Sequence, residues 1–128
     1  MTNPTQKPTA SELEILQVLW TRGPSTVREV YEVLSEKRDM GYTSVLKLMQ
    51  IMTEKGSVRR NETQRAHVYE VCQPAEKTKR GLAADVLQRV FDGSASELMM
   101  HALAGHRASK EEIAELRRLL AEYERKQS

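Results

Sequence analysis

The sequence is poor in the residues that usually cross-link small proteins or form metal sites. It has one cysteine, Cys72, and aromatic residues make up only 5% of its 128 residues. A single cysteine cannot form an internal disulfide and supplies no metal-ligand spacing, so a reducing cytoplasm is the expected compartment. Because aromatic rings are few, Leu, Val, Ile and Met must build the core.

Long apolar runs and an excess of one charge are missing as well. No stretch approaches the ~20 apolar residues of a membrane-spanning helix, and the first residues lack the apolar segment of a signal peptide. We expect residues 1–8 to be a flexible tail of a cytoplasmic protein. The formal net charge of +2 indicates no partner by itself, while 39% hydrophobic and 30% charged residues fit a soluble, helix-rich chain.

Catalytic and cofactor signatures are also missing. The sequence shows no paired carboxylates in a pocket-forming context, no glycine-rich phosphate loop and no supported Ser/His/Asp or Cys/His arrangement. We therefore expect neither an enzyme nor a bound cofactor. His101 and His106 are five residues apart, which does not place both on one helix face as a spacing of four would. These histidines and His67 are interpreted as surface residues, so no metal site is predicted.

Capping signals and apolar periodicity predict the helices. Four capping boxes, each a Ser or Thr followed three residues later by Glu, begin at Thr9, Thr26, Ser94 and Ser109. The first two open amphipathic helices, the second reaching about residue 37, and a third helix follows Gly41. The fold is therefore predicted to be mainly α-helical.

Beyond the third helix the periodicity changes to that of strands. Residues 58–61 and 66–72 alternate apolar and polar side chains around a polar segment at 62–65, which predicts a β-hairpin. Three helices followed by a hairpin are the order of a winged helix-turn-helix, predicted here for residues 9–73. In that fold the third helix enters the major groove of DNA and the hairpin, the wing, lies along the adjacent backbone.

The outer face of the predicted third helix suits DNA. At 100° per residue, Val45, Met49 and Met52 share a core stripe with Leu48, while Thr43, Lys47, Gln50 and Glu54 lie opposite. Thr, Lys and Gln can meet base edges and phosphates. Residues 43–67 also hold five Lys and Arg against two Glu, a basic patch typical of a surface that neutralises phosphates.

The remainder of the chain, residues 74–128, is predicted to be a helical dimerisation domain. Apolar residues recur at three-to-four spacing in three amphipathic helices, and the last approaches a heptad seam. Such helices have more apolar surface than they can cover among themselves, so a homodimer is expected. The alternative is that this region packs back on its own winged domain. The residues predicted at the dimer interface are Leu82, Val86, Val90, Leu98, Ile113, Leu116, Leu119, Leu120 and Tyr123.

In order and wording the chain resembles the penicillinase-repressor family of bacterial regulators, the BlaI/MecI/CopY type. The matching segments are Glu14 to Trp20, Gly23 to Val30, Tyr42 to Leu46, Lys55-Gly56, Arg65 to Tyr69 and Glu111 to Leu116. The resemblance runs from about Ala10 to the C-terminus. It implies a dimeric repressor that binds an inverted-repeat operator in double-stranded DNA.

The resemblance and the residue chemistry together give the expected DNA contacts. Gln50 could pair with adenine, Leu46 could contact a thymine methyl, and Lys47 could reach guanine or phosphate. Arg28 is expected to clamp a phosphate, with a surface ion pair to Glu32 as the alternative. The full predicted set is Arg28, Tyr42, Thr43, Ser44, Leu46, Lys47, Gln50, Lys55, Arg60, Arg65 and His67.

The chain also departs from the family's pattern. Ile51 stands where relatives often have Arg, and Ser57 where they often have Leu, which predicts an altered operator or weaker binding. In β-lactam-responsive members a membrane-bound sensor triggers cleavage at an Asn-Phe bond. Here His101-Ala102 occupies that place, so partnership with a sensor protease is in doubt. The cysteine cluster of copper-responsive members is also missing.

The alternative function for the chain is a protein-interaction module without specific DNA binding.

Overall fold

The computed structural model describes residues 7–127, so most of the predicted flexible tail, residues 1–8, lies outside the described residues. Within that range the elements in chain order are α1 (Ala10–Arg22), β1 (Ser25–Thr26), α2 (Val27–Ser35), α3 (Tyr42–Lys55), β2 (Val58–Asn61), β3 (Val68–Val71), α4 (Ala75–Arg89), α5 (Ala95–Ala104) and α6 (Lys110–Gln127). Two compact units divide within α4, the first reaching Leu82 and the second beginning at Ala83. The predicted domain boundary after residue 73 stays a prediction.

Reciprocal capping boxes start the first two helices, as predicted. The Thr9 amide donates to Glu12 Oε1 at 3.0 Å, and the Glu12 amide donates to Thr9 Oγ1 at 3.2 Å. Thr26 and Glu29 repeat the arrangement at 2.9 and 3.2 Å. Each box satisfies amides that have no partner inside the helix.

Helix α3 has different ends. Its N-cap, Gly41, makes no side-chain capping hydrogen bond. Its C-cap, Gly56, adopts the left-handed conformation with φ of 84°, and the Gly56 amide donates to the carbonyls of Met52 and Thr53. Glycine suits this position because a Cβ atom is strained at positive φ. The chain can therefore turn directly from α3 into β2.

The core of the first unit is built mostly from aliphatic residues and methionine, as the scarcity of aromatic residues predicts. Helices α1, α2 and α3 each bury one face, and the sheet adds Val58 and Tyr69. Leu48, predicted to lie in the core stripe of the third helix, is half-exposed and packs against the core. The buried apolar residues are Ile15, Leu16, Val18, Leu19, Val27, Val30, Leu34, Val45, Met49, Met52, Val58 and Tyr69.

The wing is a three-stranded sheet rather than the two-stranded hairpin predicted. Its antiparallel order is β1-β3-β2, with Ser25 opposite Tyr69 and Arg60 also opposite Tyr69. Strand β1 has only two residues, too few to show alternation, and its partner lies far along the chain. Strand β3 is also shorter than predicted, since it ends at Val71 and leaves Cys72 exposed beyond it.

The second unit holds three helical segments around two turns. Ser94 and Ser109 accept hydrogen bonds from the amides of Glu97 and Glu112, at 3.2 and 3.1 Å. In the second case the Glu112 carboxylate instead contacts His106 Nε2, at 2.9 Å. The Ser94 amide donates to the Phe91 carbonyl at 2.9 Å rather than to Glu97. The predicted boxes at Ser94 and Ser109 are therefore only half formed.

Helices α4, α5 and α6 contain no buried residue. Large apolar side chains of the second unit are instead open to solvent, namely Val86, Val90, Met99, Met100, Leu103, Ile113, Leu119, Leu120 and Tyr123. Within residues 7–127, no helix is long and apolar enough to cross a membrane.

Candidate nucleic-acid interface

The outer face of α3 is polar and open to solvent. Thr43, Ser44, Lys47 and Gln50 are all exposed, while the opposite face buries the core stripe. Leu46 is only half-exposed because it packs against the core, so less of its side chain is available than the sequence suggested. The helix therefore presents hydroxyl, ammonium and amide groups together on one side, the groups that hydrogen-bond to bases and phosphates.

The start of α3 can receive an anion. Gly41 has no side chain to cap the helix, so the first amides have no side-chain partner from this N-cap. The aligned peptide dipoles also make a helix N-terminus attractive to negative charge. Thr43 and Ser44 add two exposed hydroxyls in this first turn. A phosphate could accept hydrogen bonds from these groups together.

Arg28 lies beside this helix start. Its guanidinium carbon is 5.6 Å from the centroid of the Tyr42 ring, and Tyr42 makes an edge contact with Tyr31 at 5.7 Å between centroids. Within the described chain Arg28 makes no ion pair with Glu32, the alternative weighed for it. Cation–π contact with a ring held by a second ring fixes the guanidinium without neutralising it.

Tyr31 is the contact that the sequence reasoning missed. It lies three residues after Arg28 in α2, a spacing that places both on one face of the helix. That spacing could have indicated that the two side chains belong to one site. Only the packing of α2 against α3 shows that Tyr42 contacts both of them.

The wing carries further candidate contacts. Arg65 and His67 are exposed in the segment that joins β2 to β3. Arg60 instead forms an ion pair with Glu62 at 2.8 Å, and hydrogen bonds to Glu62 and Tyr69 raise its pKa. Arg59 pairs with Glu70 across the strands at 2.6 Å, which raises the pKa of Arg59 in the same way. These two arginines stay charged but already have carboxylate partners.

Lys55 is oriented differently from the other predicted cations. Its ammonium is 2.8 Å from Glu12 Oε1, and its side chain is 15% exposed. Lys55 therefore has its partner inside the fold and does not present its ammonium on the outer face, because the carboxylate that attracts it is itself buried. Lys47 and Arg65, by contrast, have no ion pair within the described residues. Among the cations predicted to contact DNA, Arg28, Lys47 and Arg65 therefore have no carboxylate partner within the described residues.

Residues 7–127 contain no cluster of three His, Cys, Asp or Glu side chains that could hold a metal ion. Ile51, which the family resemblance marks as a place where relatives often have Arg, is 36% exposed beside the polar face of α3. It leaves an apolar side chain at the rim of the candidate interface.

The predicted dimer residues all lie in α4 to α6 or directly beside these helices. Leu82, Leu98 and Leu116 are half-exposed, and the other six are exposed. Exposed Met99, Met100 and Leu103 extend the apolar surface on α5 beyond the predicted set. No side chain of this set is buried within one chain, so the second unit by itself does not account for its own apolar residues.

The sequence of this chain is similar to those of known proteins. Residues 8–122 match the family model described as penicillinase repressor. The transcriptional regulator BlaI of Mycobacterium tuberculosis is 36% identical over 115 residues, which cover 88% of this chain and 82% of that protein. The methicillin resistance regulatory protein MecI of Mammaliicoccus sciuri is 21% identical, and that of Staphylococcus aureus (strain N315) is 20% identical. Both matches cover 94% of this chain and 98% of the relative. The chain belongs to the penicillinase repressor family of transcriptional regulators.

Proposed function

We propose that this family member acts as a homodimeric repressor on an inverted-repeat operator, with α3 in the major groove and the wing on the adjacent backbone. The family is one of repressors rather than enzymes. The observation that carries the proposal is the start of α3, where an uncapped helix end lies beside a guanidinium held over Tyr42. Phosphate contacts at that point would orient the helix, and its exposed polar face would then read bases.

Each DNA-facing group has a task in this arrangement. Arg28 and the amides of the first turn hold a phosphate, and Thr43 and Ser44 add hydroxyl donors. Further along the same face, Gln50 reaches a base edge, where Gln suits adenine. Lys47 neutralises a phosphate at the edge of the groove. Arg65 on the wing neutralises a phosphate outside the groove. Arg60 can do so only by leaving Glu62.

A second copy of this chain is the partner proposed for the uncovered apolar side chains. The first turn of helix α6 contains Glu111 and Glu112, and its last turn contains Arg125 and Lys126, so two antiparallel copies would place opposite charges together. A dimer with two-fold symmetry also presents two identical reading helices, which matches an operator made of two inverted half-sites.

The proposal places the protein in the cytoplasm, where bacterial DNA is accessible. It does not extend to a membrane sensor protease. His101 and Ala102 stand where β-lactam-responsive relatives have Asn and Phe, and in this chain they lie inside α5.

Selection of bound sequences from a random duplex library tests the proposal. We expect the full chain to enrich one motif with two inverted copies, and its affinity to fall steeply as salt rises. Lys47→Ala should lower affinity while sedimentation still shows the dimer. Enrichment of no motif, or binding that does not respond to salt, would contradict the proposal.

A protein-interaction module is the second candidate, and exposed Ile51 at the rim is the observation that favours it. The same selection separates the two functions, because a protein-binding surface enriches no DNA motif.

A further inference from the structure

Glu12 is an unusual residue in this fold. It is 2% exposed, and besides Ser25 it is the only buried polar or charged residue of the described chain. A carboxylate at such a place needs partners, because burying an unpaired charge is strongly unfavourable. Its partners are therefore informative.

Two groups converge on one oxygen of Glu12. The Thr9 amide donates to Oε1 at 3.0 Å, and Lys55 Nζ donates to the same atom at 2.8 Å. The first bond holds Glu12 in the capping box of α1. The second ties that first turn of α1 to the last turn of α3, at a separation of 43 residues in the chain.

The position of Lys55 gives this contact its importance. Lys55 is the last residue of α3, and Gly56 then turns the chain into β2. The ion pair thus holds α3 by the end that is remote from Arg28. It also holds the point from which the wing departs.

We propose that Glu12 and Lys55 are positioning residues for operator recognition: their ion pair, here called the Glu12–Lys55 lock, fixes the orientation of α3 and the origin of the wing, and Lys55 does not contact DNA. The proposal rests on the proposed function and deepens it. Hydrogen bonds to bases tolerate little misplacement, so an anchor at each end of the reading helix serves recognition directly.

Stability alone is a poor explanation for such a pair. Apolar residues of similar size replace buried ion pairs without loss in many proteins, because the desolvation of two charges offsets their attraction. An ion pair with one hydrogen-bonded geometry instead selects a single arrangement of the helices that it joins.

The test uses the full chain, a duplex selected by it from a random library, and an unrelated duplex of equal length. The main variant is Glu12→Gln/Lys55→Met, which removes both charges together. Gln can still accept the Thr9 hydrogen bond, so the capping box remains. Lys47→Ala is the reference for loss of a DNA-contacting cation, and Lys55→Arg retains a cation at the lock.

We expect the double variant to keep its thermal midpoint within a few degrees, because no buried charge is left unpaired. Its affinity for the selected duplex should fall about tenfold, equivalent to one base contact, while its affinity for the unrelated duplex stays unchanged. The slope of log affinity against log salt should match the wild type, whereas Lys47→Ala should reduce it by about 0.9. Lys55→Arg, which keeps a cation beside Glu12, should discriminate between the selected and the unrelated duplex as the wild type does. Hydrogen exchange should be faster for the last-turn amides of α3 in the double variant.

Two results would overturn the lock. A salt slope reduced as in Lys47→Ala means that Lys55 contacts phosphate. Discrimination and exchange like those of the wild type mean that the pair is merely structural. If the wild type itself prefers no duplex, the proposed function fails separately. The exchange of α3 then decides on the lock alone, since unchanged protection would refute it.

Discussion

The two compact units use the same kinds of apolar residues in opposite ways. In the first unit, Ile15, Val30 and Met49 are wholly buried, and the exposed outer face of α3 is largely polar. In the second unit, Val90, Leu120 and Tyr123 are each more than 60% exposed, and no helix of α4 to α6 buries a residue. The first unit thus has a buried core of its own, whereas the second leaves its large apolar side chains exposed.

This difference separates a unit that buries its own core from a unit whose apolar side chains still need a covering surface. Helices gain most of their stability from tertiary packing. Amphipathic helices with exposed apolar faces are therefore stable only when another surface packs against those faces. A unit that is finished by association makes stability depend on protein concentration. The DNA-facing unit carries no such dependence in its core.

The largest expected effect comes from placing a charge in the second unit. Leu116→Asp should abolish the dimer, and operator affinity should fall by about 100-fold or more, because two half-sites can no longer bind together. Sedimentation and gel-shift titration measure the two effects. Ala114→Asp is the matched control, since it places the same residue on the opposite face of α6 and should leave a dimer. A dimer in Leu116→Asp would remove α6 from the interface.

A deletion in the buried core should act on the other side of the comparison. Ile15→Ala should lower the free energy of unfolding of the first unit by about 2–5 kcal/mol, since Ile15 has no exposed surface. Denaturant unfolding at several protein concentrations gives the measurement. We expect the loss to be the same at each concentration, whereas the loss from Leu120→Ala should depend on concentration. Equal behaviour of both variants would end the distinction between the units.

Tyr42→Leu sharpens the comparison within the first unit. It removes the ring under Arg28 but should leave the dimer intact, and a cation–π contact at an exposed site contributes about 0.5–1 kcal/mol. Operator affinity should therefore fall about two- to fivefold, as measured by fluorescence anisotropy. Tyr42→Phe, which keeps a ring, should bind like the wild type. If Phe and Leu are equally weak, the hydroxyl rather than the ring matters.

The smallest expected effect is on the stability of the fold at acid pH. A backbone hydrogen bond from Thr26, and then the charge of Arg22, lower the pKa of Glu29 below its ordinary 4.5. A lowered folded-state pKa contributes stability that is present above 4.5 and is lost as pH falls through the folded-state value. Glu29→Gln should reduce this part of the acid sensitivity, by less than about 1 kcal/mol because solvent screens a side chain that is 42% exposed. Thermal melts of both proteins at neutral and acid pH provide the measurement.

Local patterns could be read from the sequence because their partners are close along the chain. The boxes at Thr9 and Thr26, the core stripe of α3 and the exposed face around Lys47 all depend on spacings of three or four residues. The change from helical to strand periodicity after Gly56 predicted the winged order of the elements, and the family resemblance added the expected role as a repressor. These parts of the fold and of the candidate site were predictable.

Contacts between distant residues were not predictable in this way. Lys55 reads as one more cation of a basic patch until Glu12, 43 residues away, is placed against it. Strand β1 becomes a strand only when β3 lies beside it. The box at Ser109 is only half formed, and the Glu112 carboxylate that would complete it contacts His106 instead. In each case a partner outside the local pattern decided the outcome.

The junction at Gly56 has a consequence for how such a protein can change its target. Only Gly56 and Ser57 separate α3 from β2. The Ser57 amide donates a hydrogen bond to the Met52 carbonyl at 2.9 Å, and the Ser57 carbonyl accepts one from the Cys72 amide at 3.0 Å. So short and doubly tied a connection fixes the distance between the two surfaces proposed to face DNA. Substitutions on α3, such as the one at Ile51, can therefore alter which bases are preferred. The distance along DNA between the base contacts of α3 and the backbone contacts of the wing stays constant. Related operators should therefore differ in base sequence and not in that distance.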